Sequence, residues 1–209
     1  MRLQDRVCLI TNCDALMGPA FAAEFQREGA RVALQCTNAE RARLELDRAG
    51  VRLDADPPVW LVEADFGERG VPDREVDEIV AANGRLDVLV NNTPGSNAGL
   101  LQELDDETWD AMLRTMLTEP VLTTRAALRH MIPAGRGRIV NLTSAGGIIP
   151  WDEVPVYCAL RAGMVQLTRA LGKGLAPHGV YVKGDRPELG QEPDVLSRRR
   201  GSGRARRVG

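Results

Sequence analysis

Histidine is scarce in this chain, and so are aromatic rings. The two histidines, His130 and His178, are isolated and have no neighbour at metal-ligand spacing, so both read as helix-end or surface residues and no metal site is expected. The four cysteines, Cys8, Cys13, Cys36 and Cys158, follow no zinc or redox spacing and read as reduced thiols of a cytoplasmic protein. No apolar run approaches the ~20 residues of a membrane span. The opening stretch MRLQDRVCLIT lacks the apolar core and cleavage site of a signal peptide. The formal net charge is −2, which offers nucleic acid no electrostatic footing. Only the end departs from this balance. Ser197 to Gly209 reads SRRRGSGRARRVG, a basic low-complexity run expected to be disordered.

What is present is an alternation. Short apolar runs at Val7–Thr11, Val32–Gln35, Val59–Ala64, Leu86–Val90, Ile139–Leu142 and Val180–Val182 read as buried parallel strands. Amphipathic stretches lie between them, at 18–28, 39–49, 73–82, 104–130 and 156–176. The long fourth helix is expected to bend or break near Pro120. Six strands alternating with helices predict an α/β fold, a doubly wound parallel sheet with helices on both faces. Ligands of such a sheet bind at the carboxyl ends of its strands. The first turn, Asn91-Asn92, Ser144 and the segment after strand six all fall there. No linker divides the chain, so one domain is expected over residues 1–183, followed by a tail over 184–209.

The richest stretch is Ser144 to Arg161, SAGGIIPWDEVPVYCALR. Twelve residues separate Ser144 from Tyr157, and three separate Tyr157 from Arg161. On a helix the tyrosine and arginine share a face. Ser144 at a strand end can point at the same spot. A free tyrosine, with a pKa of about 10, is a poor base at neutral pH, and a cation within about 4–6 Å favours the phenolate. Guanidinium keeps its proton, so Arg161 would act as a fixed charge.

The first turn, Thr11-Asn-Cys-Asp-Ala-Leu-Met-Gly18, is poor in glycine. A dinucleotide turn needs close backbone approach to a pyrophosphate. Only Gly18 remains for that purpose. Asn12 and Leu16 stand where small residues would serve, Leu16 is expected to project toward the phosphate volume, and Asp14 would add negative charge. Gln35-Cys36-Thr37 offers neither an acid for ribose hydroxyls nor an arginine for a 2′-phosphate. Asp65, after strand three, is either an adenine-pocket residue or, preferably, a turn residue.

With these residues the chain resembles the short-chain dehydrogenase/reductase family, a Rossmann-like fold, over roughly residues 5–183. The resemblance rests on Gly29-Ala30, Asn91-Asn92, Trp109, Ile139-Val-Asn141, Ser144 and Tyr157. Arg161 stands where that family has lysine, and Met116 falls at about its helix asparagine. The departures together are similar to the halohydrin dehalogenase branch, which carries Ser-x12-Tyr-x3-Arg and needs no nicotinamide. Pro150-Trp151, Thr11 and Gly18 also fit that branch, while Leu16 stands where it has an aromatic residue.

This second resemblance implies a cofactor-independent carbon–halide lyase. Ser144, Tyr157 and Arg161 would be catalytic, closing a vicinal halo-alcohol to an epoxide or opening the epoxide with a small anion. Thr11, Leu16, Gly18, Asn92 and Pro187 would line the pocket for halide ion and substrate, with no cofactor. The alternatives are an NAD- or NADP-dependent oxidoreductase with altered motifs and a non-catalytic binding protein on the same sheet. Pairing of helices by analogy with fold-mates implies a homo-oligomer. After Lys183 the resemblance ends in Gly184-Asp-Arg-Pro-Glu188 and the basic tail, which reads as an out-of-frame product and would leave the domain without its C-terminal part.

Overall fold

A computed structural model of the chain describes residues 1–95 and 99–185. Six strands form one sheet: β1 (Val7–Ile10), β2 (Arg31–Cys36), β3 (Val59–Glu63), β4 (Val88–Asn91), β5 (Gly137–Leu142) and β6 (Val180–Asp185). Their order is β3-β2-β1-β4-β5-β6, and every pair is parallel. The helices are α1 (Gly18–Arg27), α2 (Ala39–Arg48), α3 (Val71–Asn83), α4 (Asp106–Leu113), α5 (Glu119–Met131) and α6 (Pro155–Leu175).

The strands are apolar throughout because both faces of the sheet are covered. Successive side chains of β1 divide between the two sides. Cys8 and Ile10 pack with Ala22 of α1 and with Ala42 and Leu46 of α2. Val7 and Leu9 pack with Val76 and Ile79 of α3, Ala126 and Ala127 of α5, and Leu175 of α6. All four cysteines are free, and Cys8, Cys13 and Cys36 are buried. No helix among the described residues is long and apolar enough to cross a membrane.

The expected interruption of the long helix arrives slightly before Pro120. Residues Arg114–Thr118 widen into a π turn, in which the Glu119 N–H reaches back to the Arg114 carbonyl. Pro120 then falls at the start of α5, where its missing N–H leaves no gap in the helix. β6 runs three residues further than the apolar pattern suggested, to Asp185. Pro187 and the basic tail lie outside the described residues.

The strand order reverses between β1 and β4, so the crevice of the sheet opens at their carboxyl ends. The first turn and Asn92 meet there. Thr11 Oγ1 donates to the Asn92 carbonyl at 3.3 Å and accepts from the Asn92 N–H at 3.1 Å. Asn92 Nδ2 donates to the carbonyls of Asn12 (2.8 Å) and Ala15 (2.7 Å).

Candidate active site

Helix α6 is pinned to the strand ends by a buried polar ladder. Asn91 Nδ2 donates to Asn141 Oδ1 at 2.7 Å and to Thr124 Oγ1 at 2.9 Å. Asn141 Nδ2 donates to Thr168 Oγ1 at 2.9 Å, and that hydroxyl donates to the Met164 carbonyl at 2.8 Å. The ladder ties β4 to β5 and β5 to α6. It thereby fixes the height at which Tyr157 and Arg161 leave the helix.

Tyr157 is half-buried and stacks on Trp151, with ring centres 6.0 Å apart and planes within 9°. Cys158 steadies the indole's backbone, its Sγ accepting from the Trp151 N–H at 3.4 Å. Ser144 ends the segment after β5, where its Oγ accepts from the Gly146 N–H at 3.2 Å. Gly146 in turn lies against the phenol: a Cβ there would sit 3.2 Å from Tyr157 Cε1 and 3.3 Å from the Trp151 ring. The turn that Ser144 caps thus lays its Gly146 against the Tyr157 ring.

Arg161 is only 3% exposed, and its Cζ lies 5.0 Å from the Tyr157 ring centre. Its donors are spent on strand-end acceptors rather than on a carboxylate. Nη1 donates to Thr93 Oγ1 (2.7 Å) and the Leu142 carbonyl (3.1 Å), and Nη2 to the Thr93 carbonyl (2.8 Å). Nε is buried without a hydrogen-bond partner, and Arg161 forms no ion pair among the described residues. A positive charge with neutral acceptors alone is costly to bury.

Gly95 brings the loop after β4 directly onto the Tyr157 and Arg161 side chains. A Cβ at this position would lie 2.9 Å from Tyr157 Cε2, 3.1 Å from Met116 Sδ and 3.2 Å from Arg161 Nη2. Only a residue without a side chain lets the β4 loop come this close. Met116, 1% exposed in the π segment, closes the floor with Val156 and Leu160.

The first turn differs from the expectation drawn from its composition. Asn12 (φ 46°) and Leu16 (φ 51°) both adopt the left-handed backbone that glycine favours. The turn has kept its shape without the glycines. The Asn12 side chain folds inward, donating to the Asn92 carbonyl at 3.0 Å and to Glu119 Oε1 at 2.6 Å. Its N–H donates to Gln35 Oε1 at 2.8 Å.

Leu16 is 55% exposed, and among the described residues the N–H groups of Leu16 and Met17 donate to no acceptor. They lie just ahead of α1, where a helix N-terminus favours an anion. Asp14 is buried and ion-paired with Arg41, so its charge is compensated. Asp65 serves its turn: Oδ1 accepts from the Gly67 N–H at 2.8 Å while Oδ2 pairs with Arg114.

These residues fit a nicotinamide dinucleotide. They supply a left-handed turn, two free N–H groups at a helix start, and a crevice at the reversal of strand order. Gly18 is the tightest point of the turn, since a Cβ would lie 2.7 Å from the carbonyl oxygens of Asn12 and Cys13. Both are backbone atoms and cannot swing away. Gly18→Ala is expected to cost about 1–3 kcal/mol in urea unfolding, and to weaken dinucleotide binding more than it weakens the fold. Unchanged affinity in a calorimetric titration would show that the turn does not hold the ligand.

The family model described as short chain dehydrogenase matches residues 6–189. The (2S)-[(R)-hydroxy(phenyl)methyl]succinyl-CoA dehydrogenase subunit of Thauera aromatica is 34% identical over 193 residues, 92% of this chain and 76% of that protein. Sorbitol dehydrogenase of Cereibacter sphaeroides is 33% identical over 188 residues, 90% of this chain and 71% of that protein. Among solved structures, NAD+-bound xylitol dehydrogenase superposes with a TM-score of 0.79 at 25% identity, covering 90% of this chain and 71% of its own. A metagenomic short-chain oxidoreductase in complex with NADP gives 0.79 at 29% identity, covering 90% and 84%.

The chain belongs to the short-chain dehydrogenase family. The expectation of a cofactor-free carbon–halide lyase is thereby overturned, along with its vicinal halo-alcohol, epoxide and halide ligands. These relatives are dehydrogenases and reductases, and two of the structural neighbours hold NAD+ or NADP. Nothing in these likenesses points to the halohydrin dehalogenase branch. The turn keeps left-handed backbone at Asn12 and Leu16, so losing its glycines did not cost it the glycine conformation.

Proposed function

We propose that this chain is an NAD- or NADP-dependent oxidoreductase acting between an alcohol and a carbonyl on a small substrate. The observation that carries the reading is the joint presence of two features on the carboxyl side of the sheet. One is the left-handed first turn with its free N–H groups, and the other is the Ser144–Tyr157–Arg161 set at the ends of β5 and α6. The bound nicotinamide supplies or accepts hydride.

The chain's own residues handle the oxygen and its proton. Ser144 donates a hydrogen bond to the substrate oxygen and holds it beside the phenol. Tyr157 gives its hydroxyl proton to that oxygen in reduction and takes it back in oxidation. Arg161, with its Cζ 5.0 Å from the ring centre, stabilises the negative charge left on the phenol and does not exchange a proton itself. Trp151 stacks parallel to the ring in an offset arrangement. Thr11 and Asn92 stitch the turn to β4, Gly18 lets it close, and Leu16 and Met17 offer N–H groups to the pyrophosphate.

The test is a melting curve with NAD+, NADH, NADP+ and NADPH, followed by nicotinamide absorbance with small secondary alcohols, diols and ketones. One of the dinucleotide pairs is expected to raise the melting temperature saturably, by about 2.7 kcal/mol of stabilisation at a hundredfold excess over Kd. Absence of any shift with all four would reject the reading.

A further inference from the structure

Glu119 has no part in the chemistry above, yet it is only 7% exposed at the start of α5, directly behind the first turn. Its Oε1 accepts the 2.6 Å hydrogen bond from Asn12 Nδ2, and Asn12 is the residue held in the left-handed region. Four further bonds hold the same residue: Nδ2 to the Asn92 carbonyl, N–H to Gln35 Oε1, and the carbonyl accepting from Asn92 Nδ2 and from the Ala15 N–H. A glycine would adopt this conformation unaided. Asn12 adopts it within a frame of side chains, and Glu119 is the one titratable member of that frame.

We propose that Glu119 is a positioning residue for the dinucleotide turn, and that the proton it carries couples to dinucleotide affinity. The inference rests on the reading of the chain as a dinucleotide-dependent enzyme.

The surroundings of Glu119 support this coupling. Burial pushes its carboxyl up to about 8, against the hydrogen bond from Asn12 and the positive charge of Arg114, and with the negative charge of Asp65. Arg114 and Asp65 pair with each other, so their fields at Glu119 largely cancel. Asp14, in the turn itself, is paired with Arg41. Among the described residues no counter-charge is therefore committed to Glu119, and burial decides its state. Neutral Glu119 braces Asn12 and adds no charge. Ionised Glu119 places a negative charge behind the turn that receives the pyrophosphate. Binding of an anion and loss of this proton then oppose each other, and each must weaken the other by the same factor.

The experiment is calorimetric titration of the full chain with NADH and NADPH from pH 6.5 to 9.5, for wild type and Glu119→Gln. Glutamine reproduces the neutral acid and cannot ionise. Wild-type Kd is expected to rise by roughly tenfold more than that of the variant across this range, the effect of about one pKa unit of coupling. Near pH 8.5, titration in two buffers of different ionisation enthalpy should show wild type taking up a fraction of a proton on binding, and the variant taking up less. Parallel pH profiles with equal proton uptake would overturn the role of Glu119 while leaving dinucleotide binding intact. Failure of both dinucleotides to bind at every pH would overturn the functional reading and this inference with it. Should the variant not fold, absence of proton uptake by wild type alone is enough to reject the coupling.

Discussion

Tyr157→Phe is expected to lower kcat by about a hundredfold to ten-thousandfold, with dinucleotide affinity and stability almost unchanged. The range is that of a positioned acid–base group. The separation of effects follows from the packing. The contacts recorded for Tyr157 are made by its ring: the stack on Trp151, the guanidinium carbon of Arg161 at 5.0 Å, and the close faces of Gly95 and Gly146. Phenylalanine keeps all of these, so unfolding free energy should move by no more than about 0.5 kcal/mol. Only the hydroxyl is lost. Single-turnover reduction at saturating substrate isolates the proton-transfer step. A variant within about fivefold of wild type in that assay would remove Tyr157 from the chemistry, a fall well below the hundredfold expected of a general acid.

Much of this site was legible because its residues lie in regular elements. The four-residue interval from Tyr157 to Arg161 fixes their shared face once α6 is recognised. The apolar run of β5 fixes where Ser144 emerges. Pro120 announced a break in the long helix, and the π turn lies just ahead of it. What stayed hidden depends on backbone torsion and burial, which composition does not report. Asn12 and Leu16 read as obstacles, yet both hold φ near +50° and the turn keeps its form. Asparagine visits that region with modest cost, whereas leucine does so only when its surroundings dictate it. Asp14 read as an unopposed charge because its partner, Arg41, sits 27 residues away on α2. Glu119 lies inside the amphipathic stretch 104–130 and carried no expectation of its own. An acid directly before the proline of a helix break, opposite an asparagine that replaces glycine, was the signal available for it.

Asp87→Asn is expected to cost about 1.5–3 kcal/mol at pH 7, the scale of a hydrogen bond to a charged group, because its arginine partners reach solvent. Asp87 is 5% exposed at the amino-terminal end of β4, away from the site. It pairs with Arg85, with Arg6 at 3.4 Å and with Arg136 at 3.7 Å, and it accepts the Val7 N–H at 3.0 Å. One carboxylate thus joins the starts of β1, β4 and β5. Burial works against its charge, but the Arg85 hydrogen bond, the Val7 N–H and the charges of Arg85 and Arg6 outweigh it and hold the carboxyl below the usual range. The group therefore contributes stability that is present above the ordinary carboxylate pKa, about 3.9, and lost as pH falls through its lower folded-state value. The gap between wild type and Asp87→Asn in urea unfolding should be full at pH 7 and shrink steadily below about pH 4. Glu119 slopes the other way: with its carboxyl raised to about 8, it takes stability away as pH rises toward that value, and it does so equally in both proteins. The difference between the two curves therefore isolates Asp87. A gap independent of pH between 7 and 3 would mean that the charge contributes nothing and that the hydrogen bond to Val7 alone joins the strand starts.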